Sequence, residues 1–240
     1  SIAWVDFNND GNLDLSYIGF DGASYYTSLF TGNGSGSFNS LAAPFPGVNN
    51  GCMEWGDFNN DGFADLLLTG WNGVQYITKL YQNNDGGNTF TEVATPFPNV
   101  AYSAADWGDY DNDGDLDLLL TGGFFNGTWS YYTKVYINNG DASFTEDTNI
   151  TLKGVDYSSA TWGDYDADGD LDILYTGYYI EGSATYVANI QRNNGDGSFT
   201  ALAAGLTGAF DGSSDWGDYD SDGDLDLIVT GLYNNGVSNL

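Results

Sequence analysis

WGDYDNDGDLDLLLTG, residues 107–122, recurs along the chain as WVDFNNDGNLDLSYIG (4–19), WGDFNNDGFADLLLTG (55–70), WGDYDADGDLDILYTG (162–177) and WGDYDSDGDLDLIVTG (216–231). The first acids of the five copies are Asp6, Asp57, Asp109, Asp164 and Asp218, at intervals of 51 to 55 residues. A repeat of about 50 residues is the mark of a propeller or a related array, in which each period is one supersecondary unit.

The parts of one period follow in a fixed order. A short segment ends in Trp107, the acidic loop follows, and an apolar run covers 116–122. A variable tip at 123–130 and an alternating run at 131–137 come next, then an Asn-Asn-Gly-Asp turn at 138–141 and a last short run at 143–146. The runs are four to eight residues long, rich in β-branched and aromatic side chains, and bounded by Gly, Asn and Asp. They read as strands. Four strands per period make one blade, so the expected fold is all-β: a β-propeller of four-stranded antiparallel blades with about five repeats. The chain is expected to be a single propeller domain or propeller fragment, with repeats near 1–50, 51–101, 102–155, 156–209 and 210–240. The fifth repeat reads as incomplete, its last run being 237–240. The expectation is either an imperfectly closed five-bladed ring or a piece of a larger ring or array, with self-association through the incomplete blade as one way to cover it.

Counting from the first acid, positions 1, 3, 5 and 9 of every loop carry a side-chain oxygen. They are Asp6, Asn8, Asp10 and Asp14; Asp57, Asn59, Asp61 and Asp65; Asp109, Asp111, Asp113 and Asp117; Asp164, Asp166, Asp168 and Asp172; and Asp218, Asp220, Asp222 and Asp226. Position 6 is always glycine. Position 7 varies (Asn12, Phe63, Asp115, Asp170, Asp224), as expected of a residue that offers only its backbone carbonyl. Carboxylates gathered this closely repel one another unless a cation lies between them. An all-oxygen donor set without His or Cys selects a hard cation, and a flexible loop of six or seven oxygens suits Ca²⁺ better than Mg²⁺. Five Ca²⁺ sites are therefore expected, with these residues as ligands and the ion in a structural role.

The totals bound the partners. The 240 residues carry a net charge of −30, with four Lys+Arg against 34 Asp+Glu. Nucleic acid and an anionic membrane surface are excluded as electrostatic partners. The nine-residue loops hold 21 of the 34 acids, which is clustering rather than a uniform solvated coat. The single cysteine, Cys52, reads as a buried small hydrophobe. No apolar run is long enough for a membrane-spanning helix, so no membrane insertion is expected.

The repeat W-G-D-[FY]-[DN]-x-D-G-x-x-D-[LI] resembles the FG-GAP/VCBS repeat found in the integrin α-subunit propeller and in secreted bacterial proteins. Thr-Gly at 69–70, 121–122, 176–177 and 230–231 stands where integrin-like repeats often close with Gly-Ala-Pro, which places the chain nearer the bacterial branch. The resemblance implies calcium in the loop between the first two strands of each blade, an extracellular or cell-surface location, and a role in adhesion or ligand display.

Two families of aromatics are distinguished. Trp4, Trp55, Trp107, Trp162 and Trp216 precede every loop and are expected to pack blade on blade. Trp71, Phe124, Phe125, Trp129, Tyr178 and Tyr179 fall in the variable tips, on the face opposite the calcium loops. There they either stack on a ligand, a glycan or a protein, or pack between neighbouring blades. With no histidine and its acids committed to metal, the chain is expected not to be an enzyme. The weaker alternatives are a structural subunit of a surface layer or filament and a calcium-assisted polysaccharide-active enzyme.

Overall fold

The structure, a computed structural model, describes residues 1–87, 89–233 and 238–239. The first repeat forms β1 (Ile2–Val5), β2 (Asp14–Phe20), β3 (Tyr25–Gly32) and β4 (Phe38–Leu41). The second forms β5 (Met53–Gly56), β6 (Asp65–Trp71), β7 (Tyr76–Asn83) and β8 (Phe90–Val93). The third forms β9 (Ala105–Gly108), β10 (Asp117–Phe125), β11 (Trp129–Asn138) and β12 (Phe144–Glu146). The fourth forms β13 (Asp156–Gly163), β14 (Asp172–Glu181), β15 (Ser183–Asn193) and β16 (Phe199–Leu202). Each quartet is one sheet in sequential order. In the fifth repeat β17 (Ser214–Gly217) pairs with β18 (Asp226–Val229), and β19 (Gly231–Leu232) with β20 (Ser238–Asn239). Val237 and Leu240, part of the expected last run, lie outside the described residues.

These are the four-stranded antiparallel blades of a β-propeller, with a partial fifth. One boundary differs from expectation. The tip expected at 123–130 shrinks to 126–128, because β10 runs on to Phe125 and β11 begins at Trp129. Phe125 and Trp129 are cross-strand partners with ring centroids 5.6 Å apart. Aromatic pairs of this kind stabilise a pleated ribbon and extend it. The candidate tip residues are therefore strand residues with fixed directions.

Two compact units divide the chain: residues 1–101 with 138–144, and residues 102–137 with 145–240. The core of the first gathers Phe7, Ile18, Leu29, Val48, Met53 and Leu66. That of the second gathers Tyr110, Leu119, Val135, Val155, Ile173 and Tyr175. Second strands such as Leu66-Leu67-Leu68 and Leu118-Leu119-Leu120 are buried on both faces, which explains their uninterrupted apolar runs.

Within each unit two contacts join successive repeats. The aromatic at loop position 2 stacks on the tryptophan of the next repeat: Phe7 on Trp55 (5.5 Å, 15°), Tyr110 on Trp162 (5.5 Å, 2°) and Tyr165 on Trp216 (6.1 Å, 15°). Trp4 differs from its equivalents: it is 55% exposed and packs on Phe38 of its own sheet. The second contact is an asparagine at the end of the third strand. Asn83 Nδ2 donates to the Phe7 carbonyl (2.8 Å) and the Ala64 carbonyl (3.1 Å), while its Oδ1 accepts from Gly87 N–H (2.6 Å). Asn193 repeats this with the carbonyls of Tyr110 (3.0 Å) and Leu171 (3.3 Å) and with Gly195 N–H (3.1 Å). Asn138 donates to the Phe58 carbonyl at 2.6 Å. Each asparagine thus holds its own repeat and the loop of the preceding repeat.

Replacing Asn193 by Ala strands two carbonyls and one N–H in a buried setting. The expected loss is about 2–4 kcal/mol of unfolding free energy, read from urea denaturation in the presence of calcium; a loss below 1 kcal/mol would show that the asparagine is dispensable.

Candidate functional site

The five acidic loops share one backbone course. Loop position 4 takes positive φ in every copy (Asn9 56°, Asn60 57°, Asn112 61°, Ala167 57°, Ser221 62°). The glycines at position 6 lie between 86° and 98°. A Cβ at any of these glycines would meet nothing within 4 Å, so glycine is needed here for its dihedral and not for space. The position 1 carboxylate fixes the turn. Asp57 accepts from Asp61 N–H (2.9 Å) and Gly62 N–H (2.8 Å), and Asp109, Asp164 and Asp218 make the same pair.

Positions 1, 3 and 9 converge. Asp109, Asp111 and Asp117 each bring a carboxylate oxygen within 4.8 Å of the other two, as do Asp164, Asp166 and Asp172, and Asp218, Asp220 and Asp226. Each trio can hold a metal ion. In the first two loops Asn8 and Asn59 replace the position 3 acid. The position 5 carboxylates stand apart from the trios: Asp10, Asp61, Asp113, Asp168 and Asp222 accept the N–H of Asn12, Phe63, Asp115, Asp170 and Asp224 at 2.9–3.0 Å.

Position 9 carries the test of fit. Asp14 Oδ1 accepts from Gly32 N–H (2.8 Å), Asp65 Oδ1 from Asn83 N–H (2.7 Å) and Asp172 Oδ1 from Asn193 N–H (2.7 Å). The other oxygens of Asp14 and Asp65 are buried without a hydrogen bond, whereas in Asp117, Asp172 and Asp226 the Oδ2 accepts the position 2 N–H at 2.9–3.2 Å. A buried, unpartnered carboxylate oxygen at the focus of an all-oxygen loop fits a bound cation. Burial is the main force on these groups, joined by neighbouring loop acids. It raises Asp14, and pushes Asp65 up to about 7 and Asp172 to about 6.

The far ends of the sheets are aromatic. In the second unit Tyr102 stacks on Tyr157 at 4.2 Å, and Tyr157 and Tyr131 both approach Tyr178 (5.6 and 6.4 Å). Tyr178 reaches Phe210 at 5.2 Å, and Trp129 reaches Tyr102 at 6.0 Å and Tyr131 at 6.3 Å. Of the six expected tip residues, Phe125, Trp129 and Tyr178 join this cluster. Phe124 pairs instead with Tyr132 (5.8 Å), and Tyr179 lies beneath the Lys153 ammonium (4.1 Å), because successive strand residues face opposite ways. Trp71 pairs with Tyr76 at 4.9 Å in the first unit.

The sequence reading missed Tyr102, Tyr131, Tyr157, Phe210 and the locking asparagines. A signal existed in the register. Asn50, Tyr102, Tyr157 and Asp211 each stand five residues before the repeat tryptophan, and all four have positive φ (52°, 51°, 45° and 52°). Asn83, Asn138 and Asn193 each open an Asn-Asn pair that had been read as a turn.

A family model for the FG-GAP-like repeat matches residues 6–68, 57–120 and 124–175. The chain belongs to the FG-GAP-like repeat family. Cartilage acidic protein 1 of Xenopus tropicalis is 28% identical over 160 residues, 61% of this chain and 24% of that protein. The chain therefore spans about a quarter of that relative's length. An Agrocybe aegerita lectin, solved to explain its recognition of non-reducing terminal N-acetylglucosamine, shares the fold. Its TM-score is 0.61 at 19% identity, over 100% of this chain and 64% of the lectin. A Penicillium chrysogenum α-L-arabinanase in complex with arabinobiose gives 0.56 at 15% identity, over 99% of this chain and 74% of that one. No helix among the described residues is long and apolar enough to cross a membrane.

The position 9 acids set a pH dependence. An unfolded Asp titrates near 3.9, below the folded values, so the folded ion-free protein binds more protons across about pH 4 to 7. These groups therefore contribute most below pH 4, and stability is lost as pH rises toward 7. Melting in chelator should show Tm falling from pH 5 to pH 8; a rising Tm would contradict the assignment of these carboxylates.

Proposed function

We propose that this FG-GAP-like repeat chain is an extracellular, non-enzymatic binding module of one propeller domain. Its five loops hold structural calcium and its aromatic face takes a glycan. The observation that carries the reading is the polarity of each sheet: converging carboxylates at one end of the second strand, stacked aromatics at the other.

For the ion, the ligands proposed are loop positions 1, 3, 5 and 9 with the position 7 carbonyl. Three of these positions already converge in the last three loops. An ion there would neutralise the repulsion among the acids and complete the coordination of the unpartnered Asp14 and Asp65 oxygens. Calcium is favoured over magnesium by the number and flexibility of the oxygens. A propeller built of short strands then draws much of its stability from its ions, and the millimolar calcium of an extracellular setting supports that use.

For the ligand, Phe125 and Trp129 remain open to solvent at the edge of the aromatic cluster. Aromatic faces flanked by polar strand ends suit stacking on sugar rings. Two structural relatives whose names concern carbohydrates, a lectin and an arabinanase, support a glycan over a protein.

Two experiments test these halves separately. At free calcium 100 times Kd, one site adds about 2.7 kcal/mol, and each kcal/mol moves Tm by about 2–4 °C in a domain of this size. Chelation should lower Tm by at least about 15 °C if three or more sites are filled; an unchanged melt would end the calcium reading. On a glycan array in calcium, Trp129→Ala should weaken the best ligand at least about tenfold. Binding unaffected by that change, or no glycan bound at all, would move the ligand elsewhere.

A further inference from the structure

Asp156 stands outside the acidic loops, at the head of β13, and is fully buried. Neither of its carboxylate oxygens accepts a hydrogen bond. Its own backbone amide is the only favourable dipole near it. Burial outweighs that dipole and pushes the group up to about 7. Isolated buried carboxylates are costly and rare. The repeat does not require this one, because the equivalent positions, six residues before each tryptophan, hold Asn49, Ala101 and Phe210.

Its surroundings are aromatic. The charge of Asp156 acts on Tyr131, Tyr157 and Tyr178, whose hydroxyls are raised chiefly by burial and in part by this carboxylate. The Tyr131 hydroxyl is itself buried without a hydrogen bond. Across from Asp156 lies Gly123, where a Cβ would come within 3.0 Å of the Ser130 carbonyl oxygen, 3.2 Å of Asp156 Cβ and 3.4 Å of Oδ2, so the glycine lets the two strands pack closely at the carboxylate. The strand pairing is irregular here, with a register shift between Asp156 and Ser159, while the positive φ of Tyr157 is common to its position in four repeats. Bulges are over-represented next to binding sites.

No cation of the chain serves Asp156. Lys79, Lys134 and Lys153 pair with Glu92, Glu146 and Glu181 at 2.6–2.7 Å, and Arg192 reaches Asn194 at 3.1 Å. A metal ion is a poor fit, because calcium needs six or more oxygens and this site offers one carboxylate and one phenol among ring faces. Neutral hydroxyls would satisfy the lone pairs but leave the charge. An organic ammonium supplies charge, N–H donors and a surface that aromatic faces attract.

We propose that Asp156, with Tyr131, Tyr157 and Tyr178 around it, is a binding site for the ammonium group of an organic amine. This site borders Trp129, a ring that the glycan reading also uses, but it takes a different chemical group. Trp129, 37% exposed and stacked over Tyr131, is the ring that moves to admit the ligand. The carboxylate balances the charge, Tyr131 Oη accepts one N–H, and the tyrosine faces contact the carbon-bearing side.

The test uses the full chain in calcium. Methylammonium and tetramethylammonium chlorides are titrated while intrinsic fluorescence is followed, with sodium chloride matched for ionic strength. A saturable change with methylammonium is expected, weakened at least tenfold in Asp156→Asn, whose folding is checked by circular dichroism. In Tyr131→Phe the preference for methylammonium over tetramethylammonium, which has no N–H, should shrink. That second variant keeps the test decisive if Asp156→Asn does not fold. The proposal is overturned by a response no larger than that of sodium chloride, by equal affinity in Asp156→Asn, by an unchanged preference in Tyr131→Phe, or by saturation of this site with N-acetylglucosamine but not with either ammonium ion.

Discussion

Mutual repulsion among gathered carboxylates is the force the rest of this chain is arranged around. The last three loops each bring three carboxylates together, and the first four bury their last acid at the start of a strand. Left alone, this arrangement opposes folding, since like charges a few ångströms apart in a partly dry setting push the loop open. A cation held at the focus, as proposed, would turn it into the fastening of the sheet. The position 9 aspartate makes the connection. One oxygen faces the loop, and the other holds the backbone at the end of the third strand, as Asp65 does at Asn83 and Asp172 at Asn193. The asparagine at that same point reaches the preceding repeat. Loop, sheet and neighbouring repeat therefore meet at one pair of residues. A disturbance of the loop would then be felt beyond its own repeat, which is the behaviour of an array whose stability lies in nearest-neighbour terms.

The period, the strand order and the loop geometry were legible in the sequence because each is written several times. Glycine at position 6 and oxygens at positions 1, 3, 5 and 9 follow from local backbone geometry, and local geometry is what single-sequence patterns record. The converging trios at 109–117, 164–172 and 218–226 follow from that pattern. At position 5 one carboxylate oxygen also takes the N–H two residues on, a short-range bond that the ligand pattern alone does not reveal.

What escaped the reading depends on contacts between repeats. Tyr102 and Tyr157 are 55 residues apart and look unremarkable in their own segments, yet their rings stack at 4.2 Å. Asn193 looks like a turn residue until its side chain is seen to reach Tyr110, 83 residues away. Phe124 and Tyr179 fall in the same segments as Phe125 and Tyr178 but face the opposite way, because the extended hairpins set the pleat. In each case the missing information was which repeat positions face one another across the gap between sheets.

Duplication also explains how Asp156 can exist at all. Each repeat has its own loop, and the second, third and fourth each have their own asparagine, Asn83, Asn138 and Asn193. The residue six places before each tryptophan is therefore released from any duty shared by the whole set, and it carries an amide, a methyl, a carboxylate and a phenyl ring in four successive copies. A fold of this kind behaves as a rack of interchangeable sockets: one can be retooled for a new chemistry while its neighbours keep the frame upright. Novelty in such proteins is then to be sought where the copies disagree.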